Sequence, residues 1–202
     1  MQIRTYLPDD RADCYDVCVK TGSGGQDATG AYSDDDLIPE IFCGPYVDLE
    51  PGLAFVVDTG ERVVGYALGA ADTRAFVDRY RAEVLPAFAR RFGEMDGKSD
   101  DEREMTALGL KPERMLIPEL DEYPAHLHID LLPEAQGQGL GRRLIETLLD
   151  ELAARGVVGV HLEMDPANEG AGAFYARLGF YRLEAGADAA RFAMRLPREA
   201  RT

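Results

Sequence analysis

Residues 125–132 alternate in a way that only a strand satisfies: Ala125, Leu127, Ile129 and Leu131 fall on one side, His126, His128 and Asp130 on the other. Three ionisable groups therefore share one strand face. The strand runs through Pro133 into Gln136-Gly137-Gln138-Gly139-Leu140-Gly141, after which Leu144, Ile145, Leu148, Leu149 and Leu152 recur at helical spacing up to Gly156. A strand, a glycine-rich turn and an amphipathic helix in this order suit an anion. Glycine lets a ligand approach the backbone, and the unpaired first-turn N–H groups and the helix dipole favour negative charge. A pyrophosphate fits such a turn. A P-loop would need Gly-Lys-Ser/Thr, which is absent, and the dinucleotide fingerprint would need a glycine where Arg142 stands.

The rest of the chain frames this segment. Residues 2–7 read as a first strand, and Pro8, Asp9 and Asp10 open a helix that turns Tyr15, Cys18 and Val19 inward. Cys14 and Cys18, four apart, share a face of that helix as buried thiols. Residues 21–30 hold four glycines and read as a mobile loop on the acceptor side. Ser33 with Asp34 to Asp36 starts a short helix through Ile41 and Phe42, which Gly44-Pro45 is expected to end. Residues 53–57 and 63–68 form a hairpin. From Asp72, Phe76, Val77, Tyr80, Val84, Leu85, Phe88 and Phe92 return to helical spacing, interrupted at Pro86 and stopped at Gly93. Residues 94–122 are acid-rich with little period beyond a short helix around 103–108, and read as an insertion within a single domain of residues 1–202. The element order implies an α/β fold with a mixed, mostly antiparallel central sheet and helices on both faces, parallel only around the glycine turn.

Two motifs carry a resemblance. Gln136, Gly139 and Gly141 match the Q/R-x-x-G-x-G/A loop of the GNAT superfamily of N-acetyltransferases. After a strand at residues 157–163, Asn168, Ala171, Phe174, Tyr175, Gly179 and Phe180 match that superfamily's N-x-x-A-x-x-F-Y-x-x-x-G-F run. From Ile3-Arg4 through Gly65-Tyr66-Ala67-Leu68-Gly69 the chain also resembles the acetyltransferase-like C-terminal domain of O-GlcNAcase. The resemblance implies acetyl-CoA as acyl donor, no metal, and a small-molecule or peptide amine as acceptor. It implies that the backbone near Leu131 and Leu132 pairs with the pantetheine arm. Gln136, Gly137, Gln138, Gly139, Leu140 and Gly141 would cradle the pyrophosphate, with Arg142 adding charge. Asn168 would cap its helix and touch the pantetheine, while Tyr175 would protonate the departing thiolate. The amine proton would go to His128 or Asp130, with His126 beside them. Counted from the glycine loop, the positions where members of the superfamily place such a base fall nearer Ala125 and Leu127, so the ionisable triplet has the opposite parity unless a bulge intervenes.

A formal charge of −15 repels a phosphate backbone, so nucleic acid is not an expected partner. With no long apolar run and no basic-then-apolar N-terminus, the expectation is a cytoplasmic chain without membrane contact. Two functions remain open: a transferase in which the amine attacks the thioester directly in a ternary complex, and a non-catalytic module that binds acetyl-CoA or a protein partner. The acceptor side discriminates between them.

Overall fold

The computed structural model describes residues 1–184 and 190–197. Among these, one sheet has the strand order β1-β2-β3-β4-β5-β7-β6, with β1 Gln2–Thr5, β2 Ala54–Asp58, β3 Val63–Ala70, β4 Ala125–Leu131, β5 Gly159–Met164, β6 Tyr181–Arg182 and β7 Ala190–Arg195. Every neighbouring pair is antiparallel except β4 and β5. The helices are α1 Arg11–Thr21, α2 Pro39–Phe42, α3 Gly44–Leu49, α4 Thr73–Arg79, α5 Leu85–Phe92, α6 Asp100–Leu110, α7 Leu140–Ala154 and α8 Glu169–Leu178. They cover both sheet faces, as the element order implied. α1, α3 and α4 meet the face that carries Tyr66, His126 and Asp130, and α7 meets the other, where Leu148 lies against Gly69.

Local chemistry explains where elements start and stop. The side chain of Asp72 accepts from Ala75 N–H to cap α4, and that of Asn168 accepts from Ala171 N–H to cap α8. Gly179, at φ 102, takes the left-handed conformation that ends α8. Cys14 and Cys18 are buried free thiols on one face of α1, as expected, and Cys43 joins them.

Several expectations are corrected. The first strand stops at Thr5, and a 3-10 turn, Pro8–Asp10, precedes α1. Ser33 does not cap a helix; its hydroxyl and N–H donate to Glu102, and Asp34 caps the turn Asp35–Leu37 instead. Gly44-Pro45 does not end the helical region but opens α3, because proline in a first turn gives up an N–H that would have no partner there anyway. The long helix after Asp72 divides near Pro86, as expected, into α4, a π-turn at Tyr80–Val84 and α5, with Pro86 in the first turn of α5. The helix expected around 103–108 is present as α6 and extends further at both ends; Ser99 caps it, a 3-10 turn follows at Pro112–Met115, and Met115, Ile117 and Leu120 are buried. No helix among the described residues is long and apolar enough to cross a membrane.

α6 locks onto α5 through Gly109, where a Cβ would lie 2.2 Å from the Phe88 ring. Gly109→Ala is therefore expected to cost about 1–3 kcal/mol by overpacking, read as a lowered Tm in thermal denaturation.

Candidate active site

The β3–β4 ladder runs from Gly65↔Leu131 to Ala70↔His126 without a register shift. Leu132 N–H donates to Val64 O at 2.9 Å, which fixes the phase: even-numbered residues of β4 bond to β3, and odd-numbered ones turn their backbone groups toward β5. There β5 pairs only at Ala125↔Val160 and His126↔His161. Beyond those pairs the strands part, and the backbone groups of Ile129 and Leu131 face a gap. The Leu131 carbonyl accepts from Gln136 Nε2 at 2.9 Å. Leu132 is turned the other way, its N–H spent on Val64 and its carbonyl on Ala135 N–H. Ile129, which the sequence reading passed over, takes the position expected of Leu132. The two-residue period of the strand is the reason.

The glycine turn opens at the end of this gap. Gly137 and Gly139 have φ of 71 and 75, and a Cβ built on either would meet nothing within 4 Å. Glycine is required here by backbone conformation and leaves open space above it. Gly139 is the N-cap of α7 without a side-chain cap bond, and no N–H from Gly137 through Arg142 has an acceptor among the described residues. A 15-residue helix thus aims its free N–H groups and dipole at that space. These residues fit a pyrophosphate. The side chains of Gln136 and Gln138 brace the turn from below, bonding to Leu131 O and Glu134 O. Leu140 is buried, and exposed Arg142 lies 3.7 Å from Glu146. Gly141 closes the turn against Leu131 and Phe174. Asn168 caps α8 and shares a cavity of roughly 390 Å³ with Asp165 and with Gly24 of the glycine-rich loop.

On the even face of β4 the polar side chains form a directed chain. Thr73 Oγ1 donates to Pro124 O at 2.7 Å, so it must accept from His126 Nδ1–H at 2.8 Å. His126, kept neutral by burial, then presents a bare Nε2 to the hydroxyl of Tyr46, 2.8 Å away. Tyr46 has one proton and spends it there, so its oxygen accepts from His128 Nε2–H at 2.9 Å. His128 is left with a bare Nδ1. Every buried polar side-chain atom among the described residues has a partner, and this Nδ1 has none, so it opens onto the adjoining pocket. That pocket, of roughly 110 Å³, is lined by Phe42, Tyr46, Arg114, His128, His161 and Glu163 among others. All three histidines of the chain line it. Burial, then the nearby Arg114 charge, push His128 down to about 3.

Asp130 accepts from Tyr66 Oη at 2.7 Å, and burial raises its pKa. Tyr175 rises from α8 on the opposite face, 8% exposed, its ring near Phe174, Phe180 and Phe192. Its hydroxyl has no partner among the described residues and, by the same accounting, is the part of the residue that remains open. Burial, followed by the charge of Asp130, raises its pKa and keeps it protonated. The gap between β4 and β5 thus lies between a protonated phenol and a neutral imidazole. Tyr46, Thr73, Arg114 and His161 were not singled out from the sequence. Only His161 left a signal there, in the alternation of the 157–163 strand with Glu163.

Residues 26–180 match the Acetyltransferase (GNAT) family, and the chain belongs to it. The crystal structure of SsHAT superposes with a TM-score of 0.91 at 49% identity, covering 96% of this chain and 97% of that one. Protein O-GlcNAcase of Rattus norvegicus is 26% identical over 184 residues, 90% of this chain but 20% of the relative. The chain therefore spans about a fifth of the length of the O-GlcNAcases it matches. The [Ribosomal protein bS18]-alanine N-acetyltransferase of Escherichia coli (strain K12) is 33% identical over 100 residues, 50% of this chain and 68% of that enzyme.

The buried histidines make stability depend on pH. An unfolded histidine binds a proton below about pH 6.5, whereas His126, His128 and His161 all have lowered pKa values in the fold. Stability should fall as pH drops from about 6.5 toward 3. Asp130, with a raised pKa, acts in the opposite sense but is a single group. His128→Gln should lose less thermal stability than the parent between about pH 7 and pH 4.5 in circular dichroism melts. An equal or steeper loss would contradict a neutral His128.

Proposed function

We propose that the protein transfers the acetyl group of acetyl-CoA to an amine by direct attack in a ternary complex. The parting of β4 and β5 beside a turn of unpaired N–H groups carries this reading. The pantetheine arm lies in the gap as an additional strand on Ile129 and Leu131, and the pyrophosphate rests on Gly137 to Arg142. In a fold relative from Salmonella typhimurium, acetyl-CoA itself is the bound ligand.

The reaction is R–NH3⁺ plus acetyl-CoA giving R–NH–acetyl, CoA–SH and one released proton. The ammonium gives its first proton to water at the pocket mouth. The neutral amine then donates a hydrogen bond to the bare Nδ1 of His128, too weak a base to hold a proton itself but able to aim the nitrogen lone pair at the thioester. Tyr46 and, behind it, His126 and Thr73 hold the tautomer that keeps Nδ1 bare; they are positioning residues. The free amine attacks the thioester carbon, the C–N bond forms and the C–S bond breaks. Tyr175 donates to the departing sulfur from the other face and is reprotonated by the second nitrogen proton. Asp130 resists ionisation of Tyr175.

The test is release of CoA thiol from acetyl-CoA in the presence of an amine panel. Acceptor-dependent release that falls about 10²-fold in Tyr175→Phe, with acetyl-CoA affinity unchanged, is expected. Saturable acetyl-CoA binding with no transfer to any amine would leave the non-catalytic module instead, and equal turnover in the variant would remove Tyr175 from the mechanism.

A further inference from the structure

The wall of the histidine pocket includes a cation with no carboxylate partner among the described residues. Arg114 sits on the Pro112–Met115 turn, donates through Nε to Leu108 O at 3.0 Å, and lies over the Phe42 ring with its Cζ 5.2 Å from the centroid. The same ring meets His128 edge-on at 5.8 Å. No carboxylate among the described residues lies within ion-pair distance of Arg114, and its two terminal nitrogens have no hydrogen-bond partner among them, in contrast to the ion-paired arginines elsewhere on the surface. Since no buried polar atom is left without a partner, those nitrogens are open. Glu163 also lines the pocket, but its Oε1 accepts from Arg191 at 2.9 and 2.5 Å. With the three histidines neutral, the charge left over in the pocket belongs to Arg114.

We propose that the acceptor is a free amino acid, its carboxylate held by the terminal nitrogens of Arg114 and its amine delivered to His128 Nδ1. This rests on the acetyltransferase reading and deepens it. A planar guanidinium is suited to bidentate recognition of a carboxylate, and its stacking on Phe42 orients the fork beside the imidazole that accepts from the amine. Roughly 110 Å³ holds about four waters, enough for an amino-acid headgroup and little more. The field of a chain with net charge −15 repels a simple anion but not a zwitterion, whose two charges cancel at long range. An unpaired cation inside so acidic a protein marks the one end of the acceptor that must be negative.

The experiment compares glycine, alanine and β-alanine with their carboxamides, and with a lysine peptide that has no carboxylate near the amine, as acceptors of acetyl-CoA. The parent protein should favour the amino acids over the carboxamides by about 10- to 100-fold in kcat/KM. Arg114→Gln should collapse that preference to within about threefold, and Arg114→Lys should retain part of it. Carboxamides or the peptide used as well as the amino acids, or a preference that survives in Arg114→Gln, would overturn the inference. Acetyl-CoA binding and glycine-induced shifts of the His128 ring resonances are recorded separately. Glycine that shifts His128 in the parent but not in Arg114→Gln upholds the inference even if no acetyl transfer occurs and the transferase reading fails. Amino acids that change neither the ring signals nor turnover overturn it, whether or not acetyl-CoA binds.

Discussion

The unbroken antiparallel ladder between β3 and β4 decides which way each group on β4 points. Because residue 132 bonds to Val64, the N–H and C=O groups of Ile129 and Leu131 are left for the side where β5 departs. The same phase sends the side chains of His126, His128 and Asp130 to the face covered by α1, α3 and α4. A shift of one residue would exchange the two sets and bury Ile129 and Leu131 where the histidines now stand. The gap between β4 and β5 and the histidine pocket are therefore two consequences of a single register.

Placing three imidazoles in one small region is costly unless each finds partners. The protein meets the cost by keeping them uncharged and supplying partners of fixed polarity. Pro124 O is a pure acceptor at one end, and His161 Nδ1–H likewise donates to Tyr123 O at 2.9 Å. From the Pro124 end, direction propagates through Thr73, His126 and Tyr46 and leaves a bare lone pair at the end of this chain, on His128 Nδ1. Tyr46 is 1% exposed and stacks on Phe76 at 4.7 Å, so the hydroxyl that transmits this order has little freedom to turn away. The nitrogen proposed to meet the amine is set by groups that line its side of the fold without reaching the acceptor.

Periodicity made the frame readable in advance. Strict alternation gave β4 and its ionisable face, glycines with a following apolar stripe gave the turn and α7, and the N-x-x-A-x-x-F-Y run gave α8 with its Asn168 cap. What stayed hidden was long-range. Which backbone groups of β4 face the gap depends on the phase of pairing with β3, invisible along one strand, so the sequence points to Leu132 where the pairing leaves Ile129. Tyr46 was out of reach because Gly44-Pro45 reads equally as a stop or a start. Arg114 lies in an acid-rich stretch with little apolar period, ordered only because Gly109 admits Phe88 and because Met115 and Leu120 find the core. Nothing local marks such a segment as the wall of a pocket.

The central claim, that the gap and the glycine turn together hold acetyl-CoA, is tested most directly by isothermal titration of the protein and of a Gly139→Glu, Gly141→Glu double variant. The account predicts one saturable site in the parent and none in the variant, in which a carboxylate at position 139 enters the open space above the turn and repels the pyrophosphate, while one at position 141 crowds Leu131 and Phe174. A parent that takes up no acetyl-CoA at high micromolar ligand, or a variant that binds it as tightly, would contradict the account.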